Sequence, residues 1–314
     1  MYFRNGALLL LLFTLLVLLP LVYLKKNSEE ISRFHSIPVT LLATGEQKIY
    51  RTDLETYLIG VIAAEMPAEF TTEALKAQAV AARTLAIKRL PRFGGRGSSY
   101  NRGVDFSDDP GESQAWLSTA GLVAKWGRTR FQGFYAKIYQ AVRATEGIIM
   151  TYHNQPIDAV FHSTCGNRTA AAEEVWHNQV PYLQSESCGF DRRSPRYRSD
   201  FYFPWHDLAT RLQIPENAAR KIKIAQWFPD GRVAAVSFGN QQKSGAELRR
   251  MLGLNSTYIG FKTGRDGINL VTAGYGHGVG LCQYGADGMA RQGYTYIDIL
   301  KHYYRGIEFR KVKY

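Results

Sequence analysis

The sequence predicts an α+β fold preceded by one transmembrane helix. Helical and strand-like segments follow one another without the regular strand–helix–strand alternation of a parallel sheet. In addition, residues 7–24 are apolar and uncharged, and are long enough to cross a bilayer core of about 30 Å as a helix. We therefore expect an N-terminal membrane anchor followed by one mixed domain of helices and antiparallel strands.

The first 38 residues divide into three parts. Residues 1–6 form a short N-terminal segment, residues 7–24 the apolar stretch, and residues 25–38 a polar juxtamembrane linker. The stretch is longer than a typical signal-peptide core and no small-residue cleavage site follows it, so we expect an uncleaved anchor. Charge leaves its orientation open, because Arg4 and the terminal amine nearly balance the two lysines that follow the stretch.

The remaining chain, residues 39–314, is long enough for one large core. Strand-like alternation predicts a hairpin in residues 39–50. A first helix is predicted to begin at a capping box across residues 52–55 and to end just before Pro67. An alanine-rich second helix is predicted at residues 72–90.

Weaker patterns predict the later elements. A long loop covers residues 91–111, and a glycine-rich stretch with six glycines covers residues 274–288. The other predicted elements are a helix around 131–142, a hairpin across 148–161, a strand at 233–238, and helices at 245–252 and 294–304.

The formal net charge of +12 implies an anionic partner: nucleic acid, lipid head groups or an acidic polymer such as bacterial wall. No zinc-finger pattern, RNA-binding aromatic motif or basic helix accompanies the charge. Nucleic acid is the weakest of the three for a domain outside the cell, and we expect no nucleic-acid partner.

The chain has three cysteines: Cys165, Cys188 and Cys282. An odd number in an oxidising compartment suggests one disulfide and one free thiol. The favoured pair is Cys165 with Cys188, since both lie in one loop-rich stretch. The sequence around Cys165, HSTCG, also resembles a nucleophile site superficially, although the compartment favours a disulfide or packing role.

Glu65 is the candidate general acid. It lies three, four and seven residues after Ile62, Val61 and Leu58, and so shares the apolar stripe of the first predicted helix. Burial and the negative end of the helix dipole both raise a glutamate pKa above its usual value of about 4.3. The alternative is a glutamate that reaches solvent at a frayed helix end.

The glycine-rich stretch fits neither a dinucleotide-binding fingerprint nor a phosphate-binding loop. One interpretation is a backbone that a substrate approaches closely. The groups that a sugar ring would then meet are His277, Gly278, Gln283 and Tyr284. The alternative is a set of tight turns with a structural histidine.

Several motifs together resemble the stage II sporulation protein D family. They are YLIGVIAAEMP (57–67), EALKAQAVAART (73–84), HST (162–164), GHGVGLCQYGA (276–286) and HYY (302–304). The resemblance covers residues 39 to 314 in order. It implies a membrane-anchored lytic transglycosylase that cleaves the MurNAc–GlcNAc β-1,4 bond of peptidoglycan and leaves 1,6-anhydro-MurNAc ends.

The resemblance also implies roles and partners. Residues 1–6 become cytoplasmic, residues 39–314 the extracytoplasmic catalytic domain, and Glu65 the catalytic acid. The substrate-binding candidates are Gln114, His162, Ser163, Thr164, His277, Gly278, Gln283 and Tyr284. The implied partners are denuded glycan strands, and a partner amidase and membrane scaffold during engulfment. A noncatalytic wall-binding enhancer of an amidase is the alternative.

Some members of the family bind zinc through cysteine and histidine in a segment that matches residues 105–114. Ser107, Glu112 and Ser113 stand where those ligands would be, and serine is a poor zinc ligand. We therefore expect no zinc and no other cofactor in this protein.

Overall fold

The computed structural model describes residues 36–101 and 103–314. Helices and mostly antiparallel sheets are mixed along this part of the chain, which confirms the α+β prediction. Residues 1–35, which include the predicted anchor at 7–24, lie outside the described residues. In the described part, no helix is both long and apolar enough to cross a bilayer.

Most strands are short. They are β1 (Pro38–Ala43), β2 (Lys48–Asp53), β3 (Phe106–Ser107), β4 (Ile148–Tyr152), β5 (Gln155–Pro156), β6 (Phe161–His162), β7 (Asn167–Arg168), β8 (Ser187–Cys188), β9 (Arg198–Pro204), β10 (Ile222–Trp227), β11 (Val233–Phe238), β12 (Gln241–Ser244), β13 (Ile259–Thr263), β14 (Gly267–Ala273), β15 (Leu281–Cys282) and β16 (Glu308–Lys311).

The helices vary more in length. They are α1 (Leu54–Glu65), α2 (Thr72–Arg89), α3 (Thr119–Ala144), α4 (Ala172–Trp176), α5 (Trp205–Leu212), α6 (Glu216–Ala219), α7 (Gly245–Leu252), α8 (Gln283–Arg291) and α9 (Tyr296–Tyr303), with a 3₁₀ turn at Pro91–Phe93.

Pro38–Lys313 form one compact unit with two recognisable parts. The first part contains α1, α2, α3 and α8, with the hairpin of β1 and β2 on one side. The second is a lobe from β9 to β14 that has its own hydrophobic core, centred on residues such as Phe203, Phe238 and Leu248. Two three-stranded sheets, β13–β14–β9 and β10–β11–β12, enclose that core.

Several elements differ from the predictions. Asp53, not Thr52, caps α1, because its carboxylate accepts the Thr56 amide proton at 3.0 Å. Helix α3 starts well before the predicted residue 131 and is kinked at Gly127. The hairpin of β4 has only a two-residue second strand. Helix α8 begins within the glycine-rich stretch, where the glycines gave no prediction of a helix.

A fully buried ion pair joins the helices of the first part. Arg83 of α2 forms two hydrogen bonds to the carboxylate of Glu55 in α1, at 2.7 and 2.6 Å, and both side chains are 0% exposed. The Arg83 guanidinium also donates to the carbonyl of Ile148 at 3.2 Å, at the start of β4. One arginine therefore connects α1, α2 and β4.

Replacing Arg83 by methionine should reduce the free energy of unfolding by about 3–5 kcal/mol, because the Glu55 carboxylate would stay buried without the guanidinium charge beside it. The control is Arg198→Met, which breaks an exposed pair with Asp200 at 3.4 Å and should cost no more than about 1 kcal/mol. Urea unfolding of both variants measures the difference. Equal losses would contradict the role assigned to the buried pair.

Candidate active site

Glu65 is the last residue of α1. The chain leaves the helix at Met66, whose backbone is extended and whose amide donates to the Ile62 carbonyl at 2.9 Å. Pro67 follows, and the end of the helix is where the sequence predicted it. Glu65 is partly buried, whereas Ile62 and Met66 on either side are almost fully buried.

The Glu65 carboxyl has three stabilising neighbours. The Ala115 amide donates to its Oε1 at 2.9 Å, and the Gln283 side chain and the Lys125 ammonium lie nearby. Each lowers the pKa of Glu65, but burial is the largest effect and the pKa is raised overall. The structure thus supports the predicted direction of the pKa shift.

A glycine brings the Ala115 amide to Glu65. A Cβ on Gly60 of α1 would lie 2.2 Å from Nε1 of Trp116 and 2.6 Å from the Leu117 carbonyl oxygen. The loop before α3 can therefore lie directly on the backbone of α1, and Leu117 donates its amide to the Gly60 carbonyl at 3.3 Å. This close approach positions the amide that binds the carboxylate.

Lys125 holds α3 against the end of α1. Its ammonium donates to the Ala63 carbonyl at 2.7 Å, one of the last carbonyls of the helix. A cation is favoured there by the negative end of the helix dipole. The same cation favours the ionised form of Glu65.

Gln283, in the second half of the glycine-rich stretch, lies near Glu65. Its role in substrate binding stays a prediction. Gln283 is 4% exposed at the start of α8 and donates to Oε1 of Gln78 at 3.4 Å. The Tyr284 ring packs edge-on against Phe70, with centroids 4.9 Å apart. Gln283 and Tyr284 are therefore held next to the segment that follows α1.

The first half of the stretch has a structural environment. Both ring nitrogens of His277 are used by backbone groups: Nε2 lies 2.9 Å from the Phe161 oxygen, and Nδ1 accepts the Val279 amide proton at 3.1 Å. Burial lowers the pKa of His277 to about 4, so its ring is neutral near pH 7. Gly278 packs against the Arg232 guanidinium. These contacts leave neither ring nitrogen free for a sugar and favour the alternative of a structural histidine.

The remaining substrate-binding candidates are also engaged within the protein. The Thr164 hydroxyl is 2.6 Å from that of Ser194, and the Ser163 carbonyl accepts the Tyr284 amide proton at 3.1 Å. His162 is buried, with Nδ1 at 3.1 Å from the Val279 oxygen and Nε2 without a hydrogen-bond partner. Gln114 is buried next to the loop residue that binds Glu65, and donates to the Ala82 carbonyl at 3.3 Å.

A separate cavity of about 510 Å³ lies beside His277. Its lining is basic and aromatic and includes Arg232, Arg249, Arg250 and Tyr275, but not Glu65. The cavity and the candidate acid are therefore distinct features.

The segment matched to the family's zinc ligands is occupied by hydrogen bonds. The Glu112 carboxylate accepts from the hydroxyls of Ser98 and Ser107 and from the Ser99 amide, and these bonds hold the pKa of Glu112 near 2. Two serines and a saturated carboxylate do not fit a zinc ion. The absence of zinc from this segment stays a prediction.

The cysteines differ from the prediction. Cys165, Cys188 and Cys282 are free, fully buried thiols, so the favoured disulfide is not formed. Burial raises the pKa of the Cys165 thiol well above its usual value, which is the opposite of what a nucleophile requires. The superficial nucleophile motif is therefore not supported.

Three groups around the site were not predicted: the Ala115 amide and Lys125 beside Glu65, and Gln78, which accepts a hydrogen bond from Gln283. Gln78 carried a usable signal, because it is a polar residue within the buried, alanine-rich α2. The other two carried none. A backbone amide has no residue type, and lysine is common on helix surfaces.

Comparisons with known proteins identify sequences similar to this chain. The family model of the stage II sporulation protein matches residues 43–152, which include Glu65 and Ala115. Stage II sporulation protein D of Bacillus subtilis (strain 168) is 39% identical over 274 residues, 87% of this chain and 78% of that protein. Its counterpart in Bacillus amyloliquefaciens is 36% identical over 284 residues, 90% of this chain and 81% of that protein.

A further relative has a different name. The amidase enhancer of Bacillus subtilis (strain 168) is 29% identical over 308 residues, an alignment that covers 79% of this chain but 39% of the enhancer. The two stage II relatives, in contrast, align over most of their own length and most of this chain. The chain therefore belongs to the stage II sporulation protein D family, whose members are named for sporulation.

Proposed function

We propose that this protein is a peptidoglycan lytic transglycosylase that cleaves the MurNAc–GlcNAc β-1,4 bond of denuded glycan strands during sporulation. The observation that carries the proposal is Glu65: a carboxyl with a raised pKa, at the C-terminal end of a helix, hydrogen bonded to a backbone amide. A carboxyl that keeps its proton toward neutral pH is what a general acid needs.

One carboxyl can perform both steps of this reaction. In the first, Glu65 gives its proton to the glycosidic oxygen as the bond between C1 and that oxygen breaks. In the second, the carboxylate takes the proton of the sugar's own 6-hydroxyl as O6 bonds to C1. The proton returns to Glu65, no water is consumed, and the product end is a 1,6-anhydro sugar.

Glu65's neighbours suit both of its states. Burial favours the protonated form by raising the pKa of Glu65, and the Ala115 amide and the Lys125 ammonium stabilise the charge of the ionised form. A hydrolase of the usual kind would add a second carboxylate to activate water. Two aspartates in the segment at residues 105–114 already accept hydrogen bonds within the protein. Asp105 accepts from the amide and hydroxyl of Thr40 at 2.7 and 2.9 Å, and Asp108 accepts from those of Thr44 at 2.8 and 2.7 Å.

The name of the amidase enhancer relative supports a second candidate, a noncatalytic wall-binding module that stimulates a partner amidase. The net charge of +12 suits either function, since both need an anionic wall. The two are distinguished by the isolated domain: the enzyme cleaves purified glycan alone, whereas the enhancer changes only the rate of an added amidase.

The setting is part of the proposal. Residues 7–24 anchor the chain in the membrane as a single span, and the domain acts outside the cytoplasm with a partner amidase and a membrane scaffold. Extraction of the full chain with detergent, but not with high salt or carbonate, tests the anchor. Release of the protein from membranes by carbonate would contradict the proposed anchor.

Changing Glu65 to glutamine should reduce cleavage of denuded glycan by about 10²–10⁴-fold, because only the transferable proton is lost. The control is Glu69→Gln, an exposed glutamate four residues later, which should keep wild-type turnover. Release of soluble fragments from purified strands is the measurement. Wild-type turnover by the Glu65 variant would remove this residue from the mechanism.

The same variant should be more stable than the wild type at neutral pH. The raised pKa of Glu65 means that its protonated form stabilises the fold below the unfolded pKa of about 4.3, and that this contribution is lost as the pH rises through the folded pKa. Glutamine cannot ionise, so the E65Q variant does not lose this stability as the pH rises. The melting temperatures of the two proteins should therefore agree near about pH 4 and diverge by about pH 8, with E65Q higher. A lower value for E65Q at both pH values would contradict a buried, proton-retaining carboxyl.

Digestion should yield anhydro ends, not reducing ends, because the mechanism uses no water. Mass spectrometry of the fragments detects the difference, since an anhydro end has the mass of the reducing end less one water. A predominance of reducing ends would make the enzyme a hydrolase and would require a base that Glu65 does not supply.

A further inference from the structure

Four potential metal ligands meet in the interior beside the candidate site. The thiol sulfurs of Cys165, Cys188 and Cys282 and a carboxylate oxygen of Asp191 all lie within 4.8 Å of one another. All four residues are 0% exposed. None of them has a role in the mechanism proposed for Glu65.

Distant parts of the chain supply these ligands. Cys165 follows β6, Cys188 ends β8 with Asp191 three residues later, and Cys282 ends β15. The parallel pairing of β15 with β6 brings the first and last of these segments together across 117 residues of sequence. The spacing of Cys188 and Asp191, with two residues between, is the spacing of paired ligands in many zinc sites.

The distances from the Asp191 oxygen to two of the sulfurs bracket the value of a tetrahedral zinc site, and all ligand atoms lie within 4.8 Å of one another. Zinc–sulfur bonds of about 2.3 Å place tetrahedral sulfurs about 3.8 Å apart, and a carboxylate oxygen slightly nearer. The Asp191 oxygen is 3.1 Å from the Cys165 sulfur and 3.8 Å from the Cys282 sulfur. Shifts of a few tenths of an ångström to about one ångström would give equal bonds.

Backbone donors orient the sulfurs as they do around bound metals. Cys282 Sγ accepts the amide protons of Cys165 and Gly285, each at 3.3 Å. A Cβ on Gly285 would lie 2.6 Å from the Cys188 sulfur, so only glycine lets α8 approach the cluster this closely. The Tyr303 hydroxyl is 3.0 Å from the same sulfur. Such second-layer hydrogen bonds are typical of thiolate ligands.

Asp191 provides an independent sign of a missing partner. Its Oδ2, the oxygen that lies nearest the sulfurs, accepts the Gly166 amide proton at 2.8 Å. The other oxygen of the same carboxylate, Oδ1, is buried without any hydrogen-bond partner. A buried carboxylate oxygen without a partner is costly, and bound cations commonly satisfy such atoms. The guanidinium of Arg232 is directed elsewhere, to Asp230 and to the carbonyl of Cys165.

We propose that Cys165, Cys188, Cys282 and Asp191 bind one zinc ion as a closed structural site. Three thiolates and a carboxylate complete a tetrahedron with no open position, which fits structural zinc and leaves no place for a reacting water. Binding releases the thiol protons to solvent. The site differs from the segment at residues 105–114, for which zinc was expected to be absent, and it replaces the expectation that the whole protein lacks zinc.

The ion would fix one side of the candidate active site. Gln283, which lies near Glu65, directly follows Cys282, and the Ser163 carbonyl that binds Tyr284 lies two residues before Cys165. The same ion would join the two ends of the β9–β14 lobe, since Asp191 precedes β9 and Cys282 follows β14. The zinc proposal does not depend on the transglycosylase proposal, because metal content is measured without activity.

The test uses the complete, untagged chain, purified in detergent without chelators, with elemental analysis as the first readout. We expect about one zinc per chain, and a melting temperature about 10 °C lower after metal removal, restored by Zn²⁺ alone. Cys188→Ser and Asp191→Asn should weaken zinc affinity at least about tenfold. The control Ser194→Ala removes a buried hydroxyl beside the cluster that is not a ligand, and should keep full zinc content.

A second readout protects the test from variants that fail to fold. Co²⁺ added to the metal-free wild type should give the thiolate charge-transfer absorption of a tetrahedral site. Wild-type protein that neither contains zinc nor gives this absorption would overturn the proposal. A disulfide would also overturn it. The intact protein would then be lighter by two hydrogen atoms, and only one thiol would react with a thiol reagent. Glu65→Gln should bind zinc normally, so loss of its cleavage activity and loss of zinc can be told apart.

Discussion

The buried pair of Glu55 and Arg83 is the constraint on which the first part of the structure depends. Two full charges without solvent contact need hydrogen bonds, and here the guanidinium meets both carboxylate oxygens and the carbonyl at the start of β4, while the Gly147 amide lies 3.4 Å from the same carboxylate. These bonds connect α1, α2 and β4. Glu65 is the last residue of the helix that they hold.

The chemistry of Glu65 belongs to the assembled tertiary structure and not to α1 alone. Burial opposes its charge, while an amide before α3, a lysine on α3 and a glutamine on α8 support it. These neighbours come from segments up to about 220 residues away along the chain. A shift in any of those segments would change the pKa of Glu65. That pKa therefore depends on the packing of these segments against α1.

The sequence predicted elements whose signals are local. The Pro67 stop, the alanine-rich α2 and the short α7 depend on neighbours within a few residues, and the structure has them. The single apolar stripe predicted for α1 is wrong, because the helix is buried on nearly all sides, Glu55 and Gly60 included. The unpredicted features depend on contacts between distant segments. Helix α8 was hidden because its glycines serve close packing, as Gly285 does against Cys188. The backbone partners of His277 come from β6, which no local pattern indicates. The grouping of Asp191 with three cysteines depends in the same way on the pairing of β6 and β15.

Gly60 has a consequence for anyone who would stabilise this protein by design. Exchanging a helical glycine for alanine is a standard way to gain about 0.5–1 kcal/mol. At this position the added methyl group would occupy the space of the Trp116 indole and push away the loop that carries the Ala115 amide. Gly60 is therefore the weakest helix former in α1 and also the residue that lets the Ala115 amide reach Glu65. Helix propensity favours alanine at this position, whereas the proposed function requires glycine.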